Sequence, residues 1–160
     1  MTRSAIAAPQ ADIVATADTS TGIVTAVATI PVPPARVFQA LASSEILDWW
    51  VRPGVFDTRH WQGDVRPGGR WEADGVGKAG PYALEGEFVE IDAPRRLVHT
   101  WKPKGAPVPP MTVVYELEPV AGGARIKLTH SGFPAAEVCE NTAAGWKTSF
   151  EKLSELMANT

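Results

Sequence analysis

Apolar and polar residues alternate with a period of two through most of this chain, and switch to a helical period at two places. From Ile23 to Val32 β-branched residues dominate, with Ile23, Thr25, Val27 and Thr29 on one face, so the segment reads as a strand. Pro31, Pro33 and Pro34 end it, and proline suits the first turn of a following helix. Val37, Phe38 and Leu41 then fall at helical spacing within Ala35 to Ala42. Ser43 and Ser44 offer a new N-cap, Glu45 fits the first turn, and Ile46, Leu47, Trp49 and Trp50 follow. Two short helices joined by a kink account for this stretch, closed by Arg52-Pro53-Gly54.

Strands separated by turns occupy the middle of the chain. Trp61 to Val65 runs into the turn Arg66-Pro67-Gly68-Gly69. Arg70, Glu72 and Asp74 then alternate with Trp71 and Ala73, and after a glycine-rich break Tyr82, Leu84 and Phe88 oppose Glu85 and Glu87. Asp92-Ala93-Pro94-Arg95 turns into a strand from Arg96 to Lys102. A proline-rich loop, Pro103 to Pro110, leads to Met111–Glu118, and Ala121-Gly122-Gly123 turns into Arg125–His130. One polar and one apolar face per strand describes an antiparallel sheet, wet outside and covered inside. The cover is the last segment, Ala135 to Ala158, where Val138, Trp146, Phe150, Leu153 and Met157 define an apolar stripe opposite Glu140, Lys147, Glu151 and Lys152. A helix of ~24 residues spans ~36 Å, enough to cross a sheet. The order of elements is α+β.

Composition narrows the partners. The chain has 160 residues, the size of one domain, 44% hydrophobic and 21% charged, with a net charge of −3. Its arginines Arg66, Arg70, Arg95 and Arg96 sit beside turns among acidic neighbours, so there is no basic stripe and no nucleic-acid partner is expected. The single cysteine, Cys139, cannot form an internal disulfide and fits a reducing compartment; it reads as a packing residue. Arg3 precedes a small and apolar run, but Pro9, Gln10 and Asp12 cut it short of a signal-peptide core. Residues 1–18 read as a loosely ordered leader with some strand near Ile13 and Val14, and 19–160 as one domain. No stretch reaches the ~20 apolar residues of a membrane span, and a cytoplasmic location is expected.

Several segments are similar, in order and spacing, to one family. They are Leu47-Asp48-Trp49-Trp50; the strand–turn–strand from Gly86 to Trp101 with Asp92-Ala93-Pro94-Arg95 and Leu97…Thr100-Trp101; and Leu128-Thr129-His130-Ser131-Gly132-Phe133 entering Gly145-Trp146…Phe150…Leu153. Over about residues 22–157 the chain resembles the bacterial heat-shock protein 90 ATPase activator-like family, within the START-like or birch-pollen-allergen-like superfamily. The resemblance implies a helix-grip fold: a curved antiparallel sheet of about six or seven strands wrapped around a long C-terminal helix. For many superfamily members it also implies a cavity for apolar molecules. It implies little about chemistry, because one fold carries many functions.

The aromatic residues carry the functional reading. Trp61, Trp71, Tyr82, Trp101 and Tyr115 fall on the inward strand face and Trp146 on the inward helix stripe. Filling the core is one role for them. Lining a ligand cavity is the other, favoured because indole and phenol carry polar atoms that seek partners when buried. His99 and His130 share that inner register and are either hydrogen-bonded structure or polar handles for a ligand, while His60 is expected to be exposed or at a pocket mouth.

Gly75-Val76-Gly77-Lys78-Ala79-Gly80 matches the dinucleotide fingerprint letter for letter, but Pro81 and a strand follow it rather than a helix N-terminus, so it reads as a hairpin loop. That loop and Gly105–Pro110 are candidate gates. Glu72, Asp74, Glu85, Glu87, Glu116 and Glu118 read as a solvated outer face, and Glu45 and Asp48 as a capped exposed helix. The histidines and Cys139 have no metal-ligand spacing. No catalytic residue, metal or cofactor is specified.

The leading expectation is a binding module for a hydrophobic or aromatic small molecule, using Trp61, Trp71, Tyr82, Trp101, Tyr115 and Trp146 for apolar contact and His99 and His130 as polar handles. A cyclase- or hydrolase-like enzyme would instead place a histidine or carboxylate of shifted pKa in the pocket. A protein-interaction module would expose a patch around Trp49, Trp50 and Phe56 and lack a sizeable cavity. An edge strand or the two short helices also offer surfaces for a homodimer.

Overall fold

Alternation along the strands becomes the two faces of one antiparallel sheet. The structure, a computed structural model, describes residues 12–159. Its strands are β1 (Val14–Asp18), β2 (Ile23–Ile30), β3 (Val51–Arg52), β4 (Phe56–Gly63), β5 (Arg70–Gly77), β6 (Gly80–Asp92), β7 (Arg96–Pro103), β8 (Met111–Val120) and β9 (Gly123–Ser131). The helices are α1 (Pro34–Leu41), α2 (Ile46–Trp49) and α3 (Ala136–Ala158). Strand order across the nine-stranded sheet is β1-β2-β9-β8-β7-β6-β5-β4-β3. From β3 to β9 each strand pairs with the next, and the one long-range pairing brings β9 back against β2.

The expectation of six or seven strands is corrected to nine. Both additions lie at sheet edges. β1 occupies the end of the expected leader, where some strand is expected near Ile13 and Val14; pairing with β2 orders it as far as Asp18. The rest of that leader, residues 1–11, lies outside the described residues. β3 is two residues long, and β4 begins at Phe56 rather than Trp61.

The inner face is apolar in rows. Val24, Ala26, Ala28 and Ile30 of β2 are fully buried, as are Ala124, Ile126 and Leu128 of β9 beside them. Across the sheet the row Phe88–His99–Val113–His130–Val24 is in register on five consecutive strands. On α3 the buried stripe is Cys139, Ala143, Trp146, Phe150, Leu153 and Met157. Val138, expected on it, is 48% exposed, because a residue adjacent to Cys139 points about 100° away around the helix.

The curl of the sheet follows from what α3 touches. Nine strands at ~4.8 Å spacing would set the edges of a flat sheet about 38 Å apart, and a helix is only ~10 Å wide. Yet α3 packs on β1 and β2 at one edge and on β3 at the other. The sheet therefore wraps around the helix. Ala26 and Ala28, small residues on the inner face of β2, let the helix sit close. Among the described residues, no helix is long and apolar enough to cross a membrane.

α1 and α2 close the remaining opening. Pro34 starts α1, as its fixed φ favours. Arg36 forks onto Glu45 at 2.9 and 2.6 Å, so Glu45 is an ion-pair partner rather than a free exposed acid. Trp49 donates its indole N–H to the Ala40 carbonyl at 2.9 Å and is fully buried. A four-residue helix thus delivers two successive indoles, Trp49 and Trp50, into the interior.

Packing here leaves no spare room at Gly86. A Cβ at that position would strike the Thr100 carbonyl and the Trp71 indole, which donates its N–H to the same carbonyl at 3.1 Å. Gly86→Ala is expected to lower stability by ~2–3 kcal/mol, read as a fall in the urea midpoint. An unchanged midpoint would show that the Trp71 contact can yield.

Candidate functional site

Between the strands at the β3 edge and the middle of α3 lies an open cleft of about 460 Å³. Its apolar wall is built by Trp50, Phe56, Trp101 and Trp146. Trp50 follows directly on α2 and packs its ring 5.0 Å from Trp101 and 6.3 Å from Trp146. Thr58 holds Trp50 in place: its hydroxyl donates to the Trp50 carbonyl at 2.8 Å. Having used its one proton there, Thr58 accepts from the Tyr82 hydroxyl at 2.5 Å. Tyr82 stacks on Phe56 with centroids 4.5 Å apart, and its pKa is pushed up to about 12 chiefly by burial.

Of the residues expected from the sequence, Trp101 and Trp146 line the cleft. Trp71, Tyr115, His99 and His130 are buried in the layer behind it. Tyr82 backs Phe56 and is not itself on the wall. Trp61 does not join the site. It pairs with Ala73 on the inner face, beyond an irregularity between Thr58 and His60, and its ring lies over Gly63. Trp49 and Trp50, which the alternative of a protein-interaction module would expose, are buried. The fingerprint glycines are a hairpin, Gly75 and Gly77 in β5 and Gly80 opening β6. Of the two candidate gates, only the β5–β6 turn reaches the cleft, through Lys78.

Sequence reasoning missed Trp50, Phe56, Arg52, Lys78 and Gly145 as lining residues. One signal could have found Gly145. A glycine inside a helix costs about 1 kcal/mol relative to alanine. Here no packing requires it: a Cβ at Gly145 would meet nothing within 4 Å, because the residue faces the open cleft.

The layer behind the wall is polar but uncharged. Trp146 donates its indole N–H to His130 Nδ1 at 3.0 Å, which puts the imidazole proton on Nε2. His99 donates Nδ1–H to the Thr100 carbonyl at 2.9 Å, leaving Nε2 as the ring's acceptor. Burial depresses the pKa of His99 to about 4 and, with His99 nearby, that of His130 to about 3, so both are neutral at pH 7. Among the described residues, the Trp50 indole N–H, the Tyr115 hydroxyl and His130 Nε2 are buried without a hydrogen-bond partner. Trp50 lies near the Tyr115 hydroxyl and opposes the strong upward push of burial on that phenol, but the two do not meet in hydrogen-bonding geometry. Among the described residues, no histidine, carboxylate or cysteine lines the cleft.

The buried histidines fix a pH dependence. In the unfolded chain each takes up a proton near pH 6.5, while the folded forms resist down to about 4 and about 3. Stability is therefore full above pH 6.5 and falls as the pH drops through this window. By pH 5 each histidine has withdrawn about 2 kcal/mol. Urea midpoints measured from pH 8 to pH 5 should fall accordingly, and less steeply in His99→Gln and His130→Gln. A flat wild-type profile would mean that water reaches both rings.

Comparisons with known proteins agree with this architecture. Structures of similar fold include a Chromobacterium violaceum protein, 24% identical over 85% of this chain and 96% of its own, with a TM-score of 0.75. A Nitrosomonas europaea protein is also 24% identical, covering 89% of this chain and 97% of its own, with a TM-score of 0.73. A Mycobacterium smegmatis protein is 21% identical, covering 92% and 98%, with a TM-score of 0.73. No curated protein matches the chain. The family model described as Activator of Hsp90 ATPase homolog 1-like protein matches residues 31–158, from the end of β2 through the whole of α3, and the chain belongs to that family.

Proposed function

We propose that this protein binds an apolar or aromatic small molecule in the cleft between the sheet and α3. The observation that carries the reading is the cleft itself. Its volume of about 460 Å³ falls in the range of small-molecule sites, and its wall of indoles and a phenyl ring is the lining such sites use. Gly145 supports it, since a side chain there would project into the space a ligand needs. Trp101 and Trp146 are the contacts foreseen from sequence, joined by Trp50 and Phe56; Trp71 and Tyr115 hold the indoles from behind. His99 and His130 are structural neighbours of the wall in this reading, with Nε2–H of His130 available to a polar group that penetrates past Trp101. The family description names an Hsp90 ATPase, but Trp49 and Trp50, the residues that would have formed a docking patch, are in the core.

The test uses N-phenyl-1-naphthylamine, a neutral aromatic probe that fluoresces in apolar surroundings. Wild type is expected to bind it saturably, with quenching of tryptophan emission. Gly145→Leu should fill the cleft and weaken binding at least roughly tenfold, while the thermal midpoint stays level or rises, since leucine is the better helix former by ~0.8 kcal/mol. A folded Gly145→Leu protein that binds as well as wild type would sink the cleft as the site.

A further inference from the structure

The charged part of the cleft lining is all of one sign. Arg52, half-buried on β3, and Lys78, at the β5–β6 turn, are its two ionisable residues, and no Asp or Glu accompanies them. Val55 brings them together: its N–H donates to the Arg52 carbonyl at 2.9 Å, and its own carbonyl accepts the Lys78 N–H at 3.0 Å. Both residues thus share the cleft lining with Trp50, Trp101 and Trp146.

The lack of an ion pair is unusual for an arginine in this molecule. The other seven described arginines each hold an ion pair with a carboxylate, Arg36 with Glu45 and Arg125 with Glu118 among them. Arg52 forms none among the described residues, and neither does Lys78, although the chain carries more acids than bases, 18 against 15. Lys127, Lys147 and Lys152 are likewise without an ion pair, so what marks the cleft is an unpaired arginine in a lining that holds no carboxylate among the described residues. The neutral polar groups opposite, Asn141 and Thr142 on α3, add no negative charge. An arginine offers a planar fork that fits an oxyanion, and low-dielectric walls focus the field of both cations into the cleft.

We infer that the occupant is an amphipathic anion, with an apolar body against Trp50, Trp101 and Trp146 and an acidic head group, carboxylate-like in charge and shape, at Arg52 and Lys78. This rests on the cleft being the binding site and specifies its ligand class.

Two probes with the same aromatic body separate the two ideas: N-phenyl-1-naphthylamine and its sulfonated counterpart, 8-anilino-1-naphthalenesulfonate. Wild type should bind the sulfonate roughly tenfold more tightly than the neutral amine. Raising salt from about 0.02 M to about 0.5 M should weaken the sulfonate alone. In Arg52→Gln/Lys78→Gln the preference should vanish while the neutral probe binds as before, which also shows that the variant is folded. Lys127→Gln, which removes one positive charge on the outer face of the sheet, should behave as wild type. Equal affinity of wild type for both probes, or a preference that survives in the double variant, overturns the anion and leaves the cleft standing. Failure of wild type to bind either probe overturns both.

Discussion

One helix has to cover the inner face of nine strands, and most of the architecture follows from that mismatch. A rod ~10 Å across can satisfy a sheet several times its width only if the sheet bends around it. The bend brings both sheet edges to α3, and small residues on β2 bring that edge closest. At the far edge the match is poorer. α2, packed on β4 and α3, fills part of the gap, and Trp49 and Trp50 are the bulk it delivers. What they leave unfilled is the cleft. In this view the cavity is the residue of the geometry, kept open where Gly145 declines to fill it.

The same geometry explains the interior chemistry. Indoles and imidazoles share one continuous cluster, with Trp146 touching Trp49, Trp50, Trp101, Tyr115 and His130. Such rings pack well edge to face and contribute apolar area, but each brings a polar atom into a region with few partners. Trp49, Trp71 and Trp146 find acceptors, whereas Trp50, Tyr115 and the far nitrogen of His130 do not. Burying an unmatched donor costs free energy. The three orphans lie in and just behind the wall of the cleft, so the weakest part of the polar accounting coincides with the place where a ligand would sit.

Charge is organised by the sheet in a complementary way. The outer face carries cross-strand ion pairs, Arg70 with Glu85, Lys104 with Glu72 and Arg96 with Glu116, which solvent screens. The inner layer carries titratable groups held neutral by burial. In the cleft lining the unpaired Arg52 and Lys78 meet an apolar wall, and a molecule that is apolar at one end and acidic at the other matches both.

The sequence by itself determined the periods. Strict alternation placed Trp71, Tyr115, His99 and His130 on the inner face, and helical spacing placed Trp146, Phe150, Leu153 and Met157 against them, because side-chain direction within an element is a local property. It also separated the glycine-rich hairpin from a nucleotide site, since the alternation after Pro81 is that of a strand, and no helix N-terminus follows the glycines. Tertiary structure alone decided the rest. The extent of β1 beyond Val14 and the whole of β3 depend on a neighbouring strand that supplies their hydrogen bonds, so their own residues barely announce them. Which inward aromatics line the cleft and which lie behind it depends on where α3 crosses the curled sheet, a relation between residues 40 or more positions apart. Trp61 shares the inward face yet lies away from the site, while Arg52 and Lys78, unremarkable in sequence, meet through Val55 in its lining. Periodicity fixes a direction along one element; only packing between elements fixes a place.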